Sequence, residues 1–170
     1  MFDTTATLRN STPIPRGVAL EKAVELLQGH EFCIQCDPHL VKYEAIDTPS
    51  PEPEISQECQ ASAMGPPQCF RVTDKIHALP GGLWDSDVVS TYEFINIERG
   101  TFVRIRGPMN TILESVWEVQ QSEDGGLVLV EDVVIKCSRL MVGIVRSTCE
   151  DGWRGIHKQM IDKLMETQGE

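Results

Sequence analysis

His30, Cys33, Cys36 and His39 recur at every third position of HEFCIQCDPH, with a Cys-x-x-Cys at the centre. These residue types bind zinc or exchange disulfides, so their spacing decides which chemistry is open to them. A structural zinc needs four ligands converging tetrahedrally. On a helix, residues three apart turn by about 300°, so such a series drifts around the circumference and does not converge unless the helix breaks, as Pro38 permits. No second Cys-x-x-Cys follows, and Cys59 and Cys69 stand alone along the chain. A thioredoxin-like pair would follow a strand in a βαβ setting, which the sequence lacks. The stretch therefore reads as packed or half-exposed thiols, with no metal and no redox centre. The chain has no Ser-His-Asp order, His-Glu-x-x-His, phosphate-binding glycine loop or dinucleotide fingerprint, so no cofactor is expected.

A second set of candidates lies in runs that alternate like strands. TILESVWEVQ and LVLVEDVVIKC flank the turn EDGG. Paired across it as a hairpin, Val119 meets Leu129, Trp117 meets Glu131, Ser115 meets Val133, and Leu113 meets Ile135. That face is apolar except for Ser115 and Glu131. The other carries Glu114, Glu118, Asp132 and Lys136, which suits water. A carboxylate such as Glu131 on an inner face must be hydrogen-bonded, paired or raised in pKa.

With Pro108–Met109 read as a two-residue turn, Arg104 faces Leu113 and Phe102 faces Ser115. Across ERG, Tyr92 then pairs with Arg104 and Phe94 with Phe102. This gathers Tyr92, Arg104, Ser115 and Glu131 on one concave surface. A bulge at either turn would send Arg104 outward and bring in Val103 and Ile105 instead. The set is either a buried salt bridge holding the sheet or a polar anchor that orients a ligand and supplies acid and base. On the first view of function, Arg104, Glu131 and Tyr92 are the catalytic candidates.

Other residues join the expected lining. Asp74 shares the alternation of Phe70, Val72 and Ile76, or it ends its strand by bonding to the LPGG turn. Trp84 sits after that turn, as a lid or packed on its own loop. Trp153 reads as a core residue of the last helix. With them, Phe94, Phe102, Leu113, Ser115, Trp117, Leu129 and Val133 complete the ligand-binding set. His157, beside Ile156, is expected to face outward, and His77 to lie in a loop.

Elements must hold these groups in place. Thr4–Thr12 is rich in threonine and suits a strand. Gly17–Gly29 has apolar residues at helical spacing, and a brief second helix runs from His30 until Pro38. LVKYEAI, 40–46, reads as a strand. Asp47–Pro67 holds five prolines and reads as a surface insertion, a lid or a partly disordered loop, mobile without ligand. CFRVTDKI, DVVSTYEFI, TFVRIR, TILESVWEVQ and LVLVEDVVIKC then follow as strands separated by the turns LPGG, ERG, GPMN and EDGG. Short links favour an antiparallel meander. Arg139–Gln168 is a long helix with one apolar stripe: Met141, Val145, Cys149, Trp153, Ile156, Met160 and Leu164. Gly143, Gly152 and Gly155 each cost about 1 kcal/mol against alanine there, so packing, or a ligand passing beneath, is expected to compensate. The class is α+β: a curved antiparallel sheet of about six to seven strands around a long C-terminal helix, with two short helices after the first strand.

Length and composition agree with a single domain over residues 1–170, with 47–67 as its insertion. Hydrophobic residues make up 41% and charged residues 24%, the balance of a soluble globular chain. No apolar run reaches the length of a membrane span, and MFDTTATLRNSTPIP has no signal-peptide character, so a cytoplasmic location with reduced thiols is expected. A net charge of −11 argues against nucleic acid and anionic lipid as partners.

RNSTPIP, TDKIHALPGGLWDS and RGPMN resemble an uncharacterised fungal domain family, related to the START, pollen-allergen and polyketide-cyclase (SRPBCC) superfamily. The resemblance spans about Leu8 to Leu164, with TDKI and LPGG its most specific part. The CIQC pair departs from that family's pattern, and the 47–67 insertion is variable within it. The resemblance implies a helix-grip (START-like) fold with a cavity between sheet and long helix. It implies a small, mostly apolar ligand and carries over no catalytic motif. The function that fits is a cofactor-independent cyclase or isomerase of hydrophobic secondary metabolites, with Diels-Alder-type cycloaddition included. Such chemistry needs a shaped cavity and a placed hydrogen-bond donor more than a nucleophile. The alternative is a non-catalytic carrier of a lipid, sterol, polyketide or terpenoid. Neither reading fixes the substrate or the oligomeric state.

Overall fold

The computed structural model describes residues 4–77 and 85–168. Alternation of small polar and apolar residues makes β1, Thr4–Ile14. Two short helices follow, α1 at Leu20–Leu27 and α2 at His30–Gln35. The meander then runs through β2 (Leu40–Ile46), β3 (Ala63–His77), β4 (Asp85–Ile97), β5 (Gly100–Arg106), β6 (Ile112–Gln121) and β7 (Leu127–Cys137). Helix α3, Arg139–Gln168, closes the described chain. The seven strands form one antiparallel sheet in the order β1-β7-β6-β5-β4-β3-β2. Chain-adjacent β1 and β2 thus stand at opposite edges, and α1 and α2 bridge them. This is the expected helix grip.

One face of the sheet packs on the helices. Phe70, Phe94, Trp117 and Leu129 meet Ala23 and Leu27 of α1 and Met160 and Leu164 of α3. Burying a side chain of that size is worth about 1.5–3 kcal/mol. The first turns of α3 seat Met141, Val145 and Cys149 against Val133, Ile135 and Cys137. The apolar stripe read from the sequence is therefore the contact face. The helix glycines are not explained by tight packing: a side chain at Gly143 or Gly152 would meet nothing within 4 Å, and one at Gly155 would reach Pro38 Cγ at 3.8 Å.

The segment 47–67 is no lid on that face. It carries a 3-10 turn, Gln57–Ser62, and its last residues already belong to β3. Ile55 and Cys59 pack on Ile97, Phe102 and Val116. They make a small second core on the outer face of the sheet, away from α3. Thr48 adds a hydrogen bond to the Pro67 carbonyl, and the Glu98 amide donates to the Ser62 carbonyl.

Turn lengths set the register. The β4–β5 link is a two-residue turn at Glu98–Arg99, with Ile97 opposite Gly100. Gly100 is obligatory: an added Cβ would lie 1.8 Å from the Trp117 carbonyl oxygen. The β5–β6 link is one residue longer than a two-residue turn at Pro108–Met109. It spans Pro108 to Asn110, with Met109 and Asn110 both left-handed (φ 58 and 56). The extra residue inverts the facing of β5, so Val103 and Ile105 turn inward and Phe102 and Arg104 outward.

Candidate functional site

The concave face carries two polar clusters in an apolar setting. The first joins β3 and β4. Tyr92 Oη donates to Asp74 Oδ2 at 3.4 Å. Asp74 is 8% exposed, and its Oδ1 is buried with no hydrogen-bond partner. Burial, reinforced by the charge of Asp37, raises the Asp74 carboxyl to about 6, against the pull of the Tyr92 hydroxyl and His39. Burial and the same two carboxylates hold the Tyr92 phenol well above its ordinary value, so it stays a donor at neutral pH. Tyr92 joins an aromatic cluster on its other side: it lies 6.1 Å from Phe94, and Phe70 packs edge-on against Phe94 and Tyr43. From α3, Cys149 faces both clusters. Its thiol is pushed up to about 12 by burial, then by Glu131 and Glu150.

The second cluster lies under α3. Glu131 Oε1 accepts from Asn10 Nδ2 at 3.1 Å and sits 3.2 Å from His157 Nε2. The other ring nitrogen, Nδ1, bonds to the Thr12 hydroxyl at 2.8 Å. Trp117 and Trp153 flank the imidazole at 5.2 and 5.0 Å. His157 is 1% exposed, not outward-facing as expected. The signal was present in the sequence: His157 lies four residues after Trp153 and three before Met160, on the same stripe. This cluster ties α3 to β1 and β7.

The expected partnership of Arg104 with Glu131 does not form. Arg104 lies on the opposite face of the sheet, 3.2 Å from Glu114 and 3.7 Å from Glu93. Arg106 and Lys136 complete that network. Burial works to raise Glu114, but the hydrogen bonds and charges of Lys136 and Arg104 hold it below the ordinary range. Phe102, also outward, stacks beneath Arg104 at 5.3 Å. Arg104 and Phe102 are thus corrected from the concave site to the outer face, because β5 is out of step by one residue. Two slips of opposite sense, one at each turn, cancel for β4, so Tyr92 and Phe94 do face inward. Leu113, Ser115, Trp117, Leu129 and Val133 lie on the concave side in the expected register. Trp153 is partly buried on α3, and Trp84 lies outside the described residues.

The HEFCIQCDPH groups go to separate partners. His30 stacks on Phe94 at 4.6 Å, and its two nitrogens bond the Gln68 and Asn96 amides, each at 2.6 Å. Cys33 donates to the Leu27 carbonyl, and Cys36 is buried. Burial pushes both thiols up to about 12, which makes them poor nucleophiles and poor metal ligands.

An apolar pocket lies where α1 and α3 cross the end of the sheet, lined by Ile14, Leu27, Val119, Leu129, Met160 and Leu164 among others. Its volume is ≈ 10 Å³, room for about one water molecule. Of the expected lining of Leu113, Trp117, Leu129 and Val133, it shares Leu129.

Residues 3–166 match the model of a domain of unknown function, DUF7053. The chain belongs to that family. No curated protein matches it. Among solved structures it is similar to the di-domain aromatase/cyclase StfQ of the steffimycin biosynthetic pathway, with a TM-score of 0.66 and 10% identity over 98% of this chain and 52% of that one. It thus spans about half of the di-domain protein. The Zhui aromatase/cyclase from Streptomyces gives a TM-score of 0.62 and 13% identity over 95% and 94% of the two chains. Norcoclaurine synthase from Thalictrum flavum, a point mutant with a transition-state analogue, gives 0.63 and 11% over 97% of each. At these identities the likeness establishes the helix-grip fold. No described helix is long and apolar enough to cross a membrane.

Proposed function

We propose that the concave face binds a small, mostly apolar metabolite and promotes a cofactor-free ring closure or isomerisation. Cycloaddition-type closure is included. The observation that carries this reading is the Asp74–Tyr92 pair: a buried carboxyl raised to about 6 with one oxygen unpartnered, beside a phenol that remains protonated. General acid–base work is most efficient when the catalytic pKa lies near the working pH. A hydrogen-bond donor held in an apolar site can also polarise an activating group of the ligand. Glu131 is committed to Asn10 and His157, so its part is to hold α3 over the sheet. Arg104 has no part in the reaction. The structural neighbours named as aromatase/cyclases and as a norcoclaurine synthase support the reading. The reducing cytoplasm is the setting that suits its buried thiols.

Packing sets a condition. The apolar pocket at the α1–α3 crossing is not lined by Asp74 or Tyr92, so a ligand reaches the pair only if α3 lifts or α1 and α2 move outward. Gly143 and Gly152, where an added Cβ would meet nothing within 4 Å, lower the rigidity of the part that must move. The reading is tested by incubating the protein with fractionated small-molecule extracts and following each compound by mass spectrometry. Conversion of an apolar compound to an isomer of unchanged mass or to a cyclised product, lost in Tyr92→Phe and Asp74→Asn, supports it. Recovery of a bound compound unchanged, in stoichiometric amount, makes the protein a carrier instead.

A further inference from the structure

Asp74 presents a buried carboxylate oxygen, Oδ1, with no hydrogen-bond partner among the described residues; the LPGG turn lies outside them. Such an atom costs free energy until a donor reaches it. The surroundings say which donor. A second carboxylate, Asp37, acts on Asp74 from the α2–β2 link, where it is fixed by accepting the His39 backbone N–H at 2.8 Å. The other titratable groups facing the site are His39 from the same link, Tyr92 from β4 and Cys149 from α3. The basic side chains of β2 and β3 do not help. Lys42 pairs with Thr73, one position out of phase with Asp74, and Arg71 and Lys75 share that outer-facing alternation. Arg71 is spent on Glu44 at 2.7 Å. The site is therefore negative, desolvated and without a lysine or arginine counter-ion on its face of these strands. The ring that touches Asp74 is Tyr92, and it leads into the aromatic cluster of Phe94 and Phe70; an aromatic face of this kind attracts a cation.

We propose that Asp74 recognises a protonated amine carried on an apolar body, so that the ligand class is a hydrophobic amine. A hydroxyl would also donate to Oδ1, but it would bring no positive charge to Asp74 and Asp37 beyond the partial offset that His39 gives. A carboxylate or phosphate ligand would meet like charge. The net charge of −11 favours approach of a cation over the whole surface. The inference rests on the concave face being the ligand site, as proposed above. It is read as a binding preference, so it stands or falls without any turnover.

The test uses three matched probes: 2-phenylethylamine, 2-phenylethanol and 3-phenylpropionate. Each is titrated at pH 7 into the full chain and followed through the amide resonances of residues 70–74 and 90–94. The amine should bind about tenfold or more tightly than the alcohol, the margin of a charge-assisted hydrogen bond, and the acid weakest. That preference should shrink several-fold in Asp37→Asn, whose amide oxygen can still cap His39. It should vanish in Asp74→Asn and persist in Asp74→Glu. It should also weaken as pH falls from 7 to 5, because Asp74 takes up a proton in that range. Equal or tighter binding of the alcohol overturns the proposal. So does an amine preference that survives Asp74→Asn and Asp37→Asn, or the absence of shifts at these amides with all three probes at millimolar concentration. Failure of the extract assay together with a clear amine preference would remove the catalytic reading and leave this one standing.

Discussion

At the scale of single residues, Asp74 is held at a cost to the fold, as groups kept for function commonly are. Its carboxyl rises from an ordinary 3.8 to about 6. A folded-state value above the unfolded one means that the native protein binds the extra proton. The stability linked to that proton is present below about pH 4 and is lost as pH rises through about 6. Asp74→Asn removes this dependence. Urea denaturation should find the variant more stable than the parent at pH 7.5, by about 1–3 kcal/mol, with a smaller gain or none at pH 4.5. An equal loss of stability at both values would show that Asp74 is a structural hydrogen-bonding residue. Glu131 stood out as a lone charge on an apolar face, and the structure does bury it. Its partner was misjudged because a histidine next to an isoleucine was placed by its neighbour and not by the Trp153–Met160 stripe on which it lies.

At the scale of elements, α3 and β5 hold the clearest consequences. A Cβ at Gly143 meets open space in the middle of a helix. Gly143→Ala should therefore stabilise by about 0.5–1 kcal/mol and raise the melting temperature by about 1–4 °C. A loss of stability would mean that α3 is not helical there in solution. Arg104 neutralises Glu93 and Glu114 on the outer face. Arg104→Met should cost about 1–3 kcal/mol in chemical denaturation, because it removes the cation shared by two buried carboxylates and leaves Glu93 only Arg106 and Glu114 only Lys136. Binding of small molecules per folded molecule should be unchanged, and a selective loss of binding would restore Arg104 to the site. The order of strands and helices was legible because hydrophobic period and turn residues mark each element. The β6–β7 register was legible because both faces of EDGG's strands are strongly patterned. The β5 register was not. TFVRIR alternates Thr101, Val103 and Ile105 on one face with Phe102, Arg104 and Arg106 on the other. Its own pattern allows the apolar set inward, but the register was carried over from the turn, and nothing in GPMN announces that Met109 and Asn110 both adopt left-handed backbone. One residue in one turn moved a predicted catalytic arginine across the sheet.

At the scale of the whole molecule, the sheet separates two kinds of interior. Its outer face holds an ion network and the Ile55–Cys59 cover, which fix the sheet. Its inner face holds the aromatic rings, the Asp74–Tyr92 pair and a helix with two glycines where an added Cβ would meet nothing, and on the proposed function it is this face that must open to admit a ligand. The segment 47–67, whose composition left open a surface insertion, a lid or a partly disordered loop, lies on the first side, because a few apolar side chains suffice to dock it on Phe102 and Ile97. The central claim is that the inner face is a ligand site built around an acid poised near neutrality. It is tested most directly by following the side-chain carboxyl carbon of Asp74 by NMR from pH 3 to 9, with and without 2-phenylethylamine. The account predicts a midpoint near 6 in the free protein and a midpoint moved clearly lower when the amine is bound, since a cation favours the ionised form. A midpoint at about 4, the ordinary aspartate range, unmoved by the amine, would contradict it.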